Sequence, residues 1–270
     1  MSLVELLIGM ALNSMLALVL AGMTIAVSSG WEHTTGLDDA TQQARVTVER
    51  IKYMVSQAGV YQLAGQSPVD GIAVVERASG SYRFPEILVV WSGGRTGGMV
   101  NNGVLTRLPV INELVIYAPQ YDDPTRLVEI IDLNNTNTID FTSASFGTTI
   151  LSIVAATQSS KTLLCDRVHT TMPVVVGSST AAGNVRFECR ESPTNAALNG
   201  VSPGSATWYS LVWSQGVVTS DSGLRQTAVR IELQLEQRPI STITNTQRGT
   251  PITSALPFIG SASYRYVYHP

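Results

Sequence analysis

Charge is scarce in this 270-residue chain, and one long stretch has none. Charged residues make up only 14% of the sequence, and no Asp, Glu, Lys or Arg stands between Glu5 and Glu32. The 17 Lys and Arg residues form no cluster, and the net charge of -3 gives no basic surface of the kind that follows a phosphate backbone. The composition therefore argues against nucleic acid as the main partner.

Cysteine and histidine are also scarce. Two cysteines, Cys165 and Cys189, and three scattered histidines include no pair at the short spacing typical of a structural metal site. Two thiols suit either one disulfide or two buried free cysteines. The chain between them is polar and rich in Gly, Ser and Thr, which favours the disulfide, so we expect Cys165 to be bonded to Cys189.

The sequence offers no convincing catalytic motif. Residues 200–204 (GVSPG) match the G-x-S-x-G pattern of serine hydrolases, but the oxyanion hole needs a backbone N–H after the serine, and Pro203 has none. The glycine-rich segment Gly93–Gly98 lacks the Gly-Lys-Ser/Thr ending of a phosphate-binding loop. Both segments are expected to be turns or loops, and the chain is not predicted to be an enzyme.

One segment is loosely similar to a calcium-binding loop. Asp132, Asn134 and Asp140 offer side-chain oxygens, but Asn137 stands where such a loop needs glycine, and no Glu closes it. A solvated turn rich in Asp and Asn accounts for the pattern more simply. Calcium remains a minor hypothesis, and no other cofactor is expected.

The chain does contain a long apolar start. Residues 6–31 carry no charge, and this length exceeds the ~20 residues that a helix needs to cross a bilayer. No basic residue precedes the run, unlike in a secretory signal peptide. From Leu37 to Ala58, apolar residues recur every three or four positions, which predicts one continuing helix of about 87 Å over residues 1–58. Ser29 and Glu32 fit a capping box, so a kink is expected between the apolar and amphipathic halves.

The single carboxylate of the apolar run needs a partner. A charge in hydrocarbon costs at least ~2.5 to 3.5 kcal/mol, and the nearest Lys or Arg is Arg45, some 40 positions further on. The α-amino group of Met1 is a cation at the same depth, and in a stack of staggered copies Glu5 can reach the amine of the next molecule. We therefore expect Glu5 to set the register of self-assembly, as buried polar groups do in coiled coils.

The run Met1-Ser2-Leu3-Val4-Glu5-Leu6-Leu7 resembles the mature N-terminus of bacterial type IV pilins and type II secretion pseudopilins. The resemblance covers residues 1–59, although Gly22 stands where the family commonly has proline. It implies that a prepilin peptidase has removed a short leader, that Met1 is methylated and that Glu5 is the assembly glutamate. The large apolar residues of the implied filament core are Leu3, Val4, Leu6, Leu7, Ile8, Leu12, Leu16 and Leu20.

The resemblance also implies a location and partners. A subunit of this family waits in the inner membrane and then enters an extracellular filament or a periplasmic pseudopilus. Its partners are copies of itself, other pilins and the inner-membrane assembly platform. Two alternatives remain: a minor pilin or pseudopilin at a filament tip, and a membrane-anchored periplasmic binding module or enzyme.

The remainder of the chain changes to a strand-like period. The clearest alternation is that of Val229, Ile231, Leu233 and Leu235 with polar residues. The expected fold is α+β and pilin-like: an apolar half-helix (1–28), an amphipathic half-helix (29–60) and a β-rich head (61–270). The predicted strands are Gly71–Glu76, Glu86–Trp91, Glu113–Ala118, Leu127–Asp132, Thr148–Ala155, Met172–Val176, Val185–Cys189, Thr207–Trp213, Ala228–Glu236 and a last strand with Tyr264, Tyr266 and Tyr268.

Overall fold

The computed structural model describes residues 3–79, 82–93, 104–156, 159–170, 183–237 and 255–270. Within these ranges the chain has an α+β fold, with one long N-terminal helix followed by a β-rich head, so the predicted fold class is confirmed. The predicted strand Met172–Val176, most of the glycine-rich segment Gly93–Gly98 and most of the Thr- and Pro-rich stretch before residue 257 lie outside the described residues.

The helices and strands follow one another in a simple order. The helices are α1 (Leu3–Ser56), α2 (Phe146–Ala155), α3 (Asn195–Leu198) and α4 (Ala206–Ser210). The strands are β1 (Val60–Tyr61), β2 (Val69–Asp70), β3 (Ile72–Ser79), β4 (Tyr82–Trp91), β5 (Val104–Leu105), β6 (Leu114–Pro119), β7 (Leu127–Ile131), β8 (Ser160–Cys165), β9 (Val185–Ser192), β10 (Gly223–Leu235) and β11 (Leu256–Tyr268). Two short 3-10 helices, Ile111–Glu113 and Ser214–Gly216, join neighbouring elements.

The strands form three sheets. A five-stranded antiparallel sheet has the order β3-β4-β6-β7-β8, and a three-stranded antiparallel sheet has the order β11-β10-β9. A third, small sheet pairs β1 with β2 and β5. In β10 the odd-numbered residues from Gly223 to Leu235 are buried and the even-numbered ones are half-buried or exposed, which is the predicted alternation of a half-buried strand.

The amphipathic half of α1 packs on the inner faces of the two larger sheets. The predicted apolar stripe is buried at Ala40, Ala44, Ile51 and Val55, where side-chain exposure is at most 1%. It shares one core with residues of β10, with Tyr264, Tyr266 and Tyr268 of β11 and with strands of the five-stranded sheet. Burial of apolar surface at ~25 cal/mol per Å² makes this contact the main attachment of α1 to the head.

The helix α1 runs without interruption through the predicted break at Ser29 and Glu32, and it ends at Ser56, three residues before Gly59. A glycine in a helix interior costs only ~1 kcal/mol relative to alanine, so Gly30 weakens the helix without ending it. Gly59 leaves room for Trp91, because a Cβ atom at residue 59 would lie 2.9 Å from the indole ring.

Two predicted strands are helices. Thr148–Ala155 lies in α2, where Phe146, Ile150 and Ile153 are buried at helical spacing against the five-stranded sheet. Most of Thr207–Trp213 lies in or beside α4, whose N-cap Ser205 accepts a hydrogen bond from the backbone N–H of Trp208 at 3.1 Å. In both cases β-branched and aromatic residues suggested a strand, and tertiary packing and capping overrode that propensity.

A buried ion pair connects the amphipathic half-helix to the five-stranded sheet. Arg50 of α1 donates two hydrogen bonds to Glu129 of β7, at 2.8 and 2.9 Å, and the hydroxyl of Tyr117 of β6 donates a third at 3.1 Å. Glu129 is only 3% exposed. The pair fixes the position of α1 along the sheet, because the planar guanidinium matches the carboxylate in one geometry.

Candidate functional site: the exposed half of the long helix

The N-terminal part of α1 projects from the head as a single apolar helix. Every described side chain from Val4 to Thr35 is exposed. Among the large apolar side chains, the exposed fraction is lowest for Ile8, at 55%, and highest for Leu18, at 76%. The most apolar window of α1 has a mean hydropathy of 2.0 and none of it is buried. At 1.5 Å per residue this part extends about 48 Å, so it is long and apolar enough to cross a membrane.

The predicted filament-core residues lie on this exposed stretch. Six of them are 55–63% exposed: Val4, Leu7, Ile8, Leu12, Leu16 and Leu20. The side chains of Leu3, Leu6 and Glu5 and the whole of Met1 lie outside the described residues, so the pairing of Glu5 with a neighbouring amine stays a prediction.

Several hydroxyl groups on this helix are satisfied within the helix itself. Thr24 donates to the carbonyl of Leu20 at 2.9 Å, Thr34 donates to that of Gly30 at 3.0 Å, and Ser14 donates to that of Met10 at 2.5 Å. A side chain that hydrogen-bonds to its own helix does not need water as a partner. The hydroxyls therefore enter an apolar environment at little cost.

The exposed helix has one face of small side chains. Its members recur at steps of three or four residues, apart from one adjacent pair, and so fall within about a third of the helix circumference. They are Asn13, Ser14, Ala17, Ala21, Thr24 and Ser28. The opposite face carries Leu12, Leu16, Val19, Met23 and Val27. Small residues let the backbones of two membrane helices approach closely.

The helix leaves the head at Gly36, where side chains change from exposed to buried. This position is seven residues beyond the predicted start of the amphipathic half. Arg167 donates hydrogen bonds to the carbonyls of Gly36 at 3.3 Å and Gln237 at 3.4 Å, and to the carboxylate of Asp39 at 3.2 Å. One buried guanidinium thus fastens the helix to the segment that follows β10.

Gly36 provides a test of this attachment. A Cβ atom at residue 36 would lie 2.1 Å from the carbonyl oxygen of Gln237, so Gly36→Ala must push the two segments apart and is expected to lower the free energy of unfolding by about 1–3 kcal/mol. Gly30→Ala meets nothing within 4 Å and is expected to be neutral or stabilising by up to ~1 kcal/mol. Urea unfolding of the full chain in detergent, followed by tryptophan fluorescence, compares the two. Equal stability of the two variants would contradict the close contact.

The predicted disulfide is not formed, because Cys165 and Cys189 are free thiols. Cys165 lies at the end of β8 opposite Leu127, whereas Cys189 lies in β9 opposite Val229 of the other large sheet. Burial raises the pKa of both thiols to about 12, so they are unreactive at neutral pH. The two cysteines are therefore separate thiols, with Cys165 buried and Cys189 half-buried.

The calcium candidates are occupied by contacts within the protein. Asp132 accepts a hydrogen bond from the Asn135 amide at 3.1 Å, and Asp140 Oδ1 accepts from the Tyr61 hydroxyl at 2.9 Å and from Thr142. Burial opposes ionisation of Asp140, but these hydrogen bonds outweigh it and lower its pKa. Among the residues that the structure describes, no three His, Cys, Asp or Glu side chains lie close enough together to hold a metal ion. Calcium binding stays a prediction.

A buried charged cluster beneath the distal end of the head was not predicted from any local pattern. The guanidinium of Arg225 is 1% exposed and donates to Glu191, to Asn195 at 2.8 Å and to the Tyr266 hydroxyl at 3.0 Å. Asp70 lies nearby and accepts a hydrogen bond from Thr227. A cleft of about 380 Å³ opens above this cluster. The arginine is held by protein groups on several sides, which indicates a structural role.

Asp70 should make stability depend on pH. Burial and the neighbouring Glu191 raise its pKa to about 6 from 3.8, so the folded chain holds this proton more tightly than the unfolded chain. The free energy of unfolding therefore falls as pH rises from about 4 to about 6, by about 3 kcal/mol, and the loss persists above pH 6. Asp70→Asn is expected to remove this loss. Urea unfolding at pH 4 and pH 7 measures the free energy of unfolding of the variant and of the wild type. If the difference between the two proteins were the same at both pH values, the role of Asp70 would be contradicted.

Comparison with known proteins adds no relative, because no family model, curated protein or solved structure matches the chain. The functional interpretation therefore depends on the residues and the geometry alone.

Proposed function

We propose that this chain is a structural subunit of a type IV pilus-like helical filament. The observation that carries the proposal is the apolar helix from Val4 to Thr35, which is exposed on all sides and continuous with a half that is anchored in the head. A lone membrane anchor needs about 20 apolar residues and no carboxylate at depth, whereas Glu5 has a role when helices of several copies pack together.

The proposed mechanism exchanges lipid contacts for protein contacts. The monomer is held in the inner membrane by the apolar half of α1. On assembly this half leaves the lipid and packs against the same helix of neighbouring copies, and Glu5 pairs with the N-terminal amine of a neighbour and selects the axial stagger. The head stays outside the apolar core, in an extracellular filament or a periplasmic pseudopilus. Prepilin peptidase and the inner-membrane assembly platform are the proposed processing and assembly partners.

The small-residue face supports close packing of these helices. In a lipid environment, helices associate through van der Waals contact and not through the hydrophobic effect, so close approach of backbones is the main favourable term. The side chains of Ala17 and Ala21 permit this approach, and both are exposed in the monomer.

Enlarging this face tests the proposal. Ala17→Leu with Ala21→Leu keeps the helix apolar, so insertion into the membrane should be unchanged. The added volume separates the backbones and is expected to reduce filament yield about tenfold or more. A tenfold weaker association of subunits corresponds to ~1.4 kcal/mol. The matched control is Val19→Leu with Met23→Leu on the opposite face, where side chains are already large.

Filament yield is measured by shearing and sedimentation, and insertion by membrane fractionation. Normal filaments from the Ala17 and Ala21 variant would contradict packing through this face. Failure of the wild-type chain to enter any filament, with the chain present in the membrane, would contradict the proposed function itself.

A further inference from the structure

The outward face of the three-stranded sheet is rich in arginine. The register of β9, β10 and β11 places six charged residues on this solvent side, four of them arginines, which gives a net charge of +2 on a chain whose total charge is -3. We call these residues the arginine face: Arg186, Glu188, Arg190, Arg230, Glu232 and Arg265.

The two carboxylates of the arginine face are already engaged. Arg190 contacts Glu188 at 2.8 Å, and Arg230 contacts Glu232 at 2.7 Å. The hydrogen bond from Arg190, with Arg186 and Arg230 close by, lowers the pKa of Glu188. The side chain of Arg190 is nevertheless 75% exposed. The face therefore has a surplus of accessible positive charge that is not balanced within the sheet.

An apolar row borders the arginine face at the end away from the exposed helix. Leu224 lies opposite Val267 in the β10–β11 register, and its backbone N–H donates to the carbonyl of Val217 at 2.9 Å. Val217 is 50% exposed and Val267 is 46% exposed. Exposed apolar side chains beside a charged surface are typical of a protein contact.

The opposite end of the molecule is acidic. Where α1 leaves the head, four described carboxylates and the guanidinium of Arg167 add up to a net charge of -3, and we call the carboxylates the acidic collar: Glu32, Asp38, Asp39 and Asp166. Asp39 and Asp166 are about half exposed even though Arg167 contacts both, at 3.2 and 3.9 Å. Glu32 and Asp38 are exposed on the helix itself.

We propose that the arginine face of one copy receives the acidic collar of a second copy of this chain. The inference rests on the proposed function, which it extends from the helix core to the heads. The two surfaces have opposite charge and differ in position, so the contact is head-to-tail, and a repeated head-to-tail contact whose rotation does not close a ring generates an open helical filament. Contacts between two arginine faces or two collars are disfavoured by like charge, which gives the filament a direction.

A double-cysteine variant tests the contact in the full chain in detergent, where copies are free to shift along the helix axis. Thr35→Cys lies between Glu32 and Asp38 on α1, and Ser263→Cys lies on β11 in the row of Arg190. Because the contact joins different surfaces, the double variant should form a ladder of covalent multimers with a short bismaleimide, and each single variant should form dimers at most. The wild-type chain, treated in the same way, reports any reaction of the native thiols, of which Cys165 is buried and Cys189 is half-buried.

The control variant pairs Thr35→Cys with Ser152→Cys, an exposed position on α2 outside the arginine face. It should form no ladder. Raising salt to 0.5 M should shorten the ladder of the Ser263 variant, because exposed charges are screened at high ionic strength.

Charge reversal gives the second arm of the test. Arg190→Glu with Arg265→Glu, introduced into the double-cysteine variant, should reduce the multimer yield about tenfold. Adding Glu32→Lys and Asp38→Lys restores opposite charge across the contact and should recover most of the yield. A ladder that is equally strong in the Ser152 control, or that charge reversal leaves unchanged, overturns the proposed contact.

Failure of this inference and failure of the proposed function give different results. Filaments that contain the chain but give no ladder in the Ser263 variant would show that the heads meet elsewhere while the function stands. A charge-dependent ladder in detergent without filaments from any source would support the contact and contradict the filament role.

Discussion

Glu5→Ala is expected to abolish filaments while leaving the chain in the membrane. Removing the carboxylate makes the helix more apolar, and insertion should improve by at least ~2.5 to 3.5 kcal/mol. Assembly should fail, because Glu5 is the only charged side chain within residues 3–31. Without it, no charged contact selects the axial stagger between copies. Membrane fractionation and electron microscopy of sheared filaments measure the two effects.

Two further variants make this experiment specific. Glu5→Gln keeps the shape of the side chain and is also expected to lose filaments, because the pairing requires charge. Glu76→Ala removes an exposed carboxylate from β3 and should assemble like the wild type. Normal filaments with alanine at residue 5 would remove Glu5 from the assembly mechanism.

Glu129→Ala is expected to have the largest effect on the stability of the head. It leaves the guanidinium of Arg50 and the hydroxyl of Tyr117 without their shared acceptor beneath α1. Breaking a buried pair in this way costs about 3 kcal/mol, near the low end of the usual range because the Arg50 side chain is 29% exposed and can reach water. Urea unfolding of the full chain in detergent measures the change.

The matched control lies next to Arg50 on the same helix. Glu49 contacts Lys52 at 3.0 Å, but its side chain is 64% exposed, so Glu49→Ala should change the free energy of unfolding by less than about 1 kcal/mol. Similar losses from the two alanine variants would mean that the Arg50–Glu129 pair does not hold α1 on the sheet.

The sequence predicted the parts of the fold that repeat with a regular period. The stripe from Ala40 to Val55 and the alternation from Val229 to Leu235 each repeat the pattern of one buried surface, and both are buried as expected. The prediction for Thr148–Ala155 was wrong because its β-branched residues favour a strand, although Ile150, Ile153 and Val154 stand at helical spacing.

Contacts between distant residues could not be predicted. Arg50 and Glu129 are 79 positions apart, and nothing in either local pattern joins them. The same limit explains the wrong disulfide, because the composition of the chain between two cysteines does not fix which strands carry them. It also explains why the exit point of the helix was missed: the boundary at residue 29 was predicted from a local capping pattern, whereas the close approach of Gln237 to Gly36 joins distant residues.

The central claim is that the exposed apolar helix becomes the core of a polymer. Near-atomic imaging of filaments from cells that produce this chain tests it most directly. The account predicts a filament with copies of α1 packed side by side at its centre, with residues from Leu7 to Val27 covered by neighbouring copies and the heads outside. Cells that hold abundant chain in their membranes and release only filaments lacking it, or filaments whose centre is built from the heads, would contradict the account.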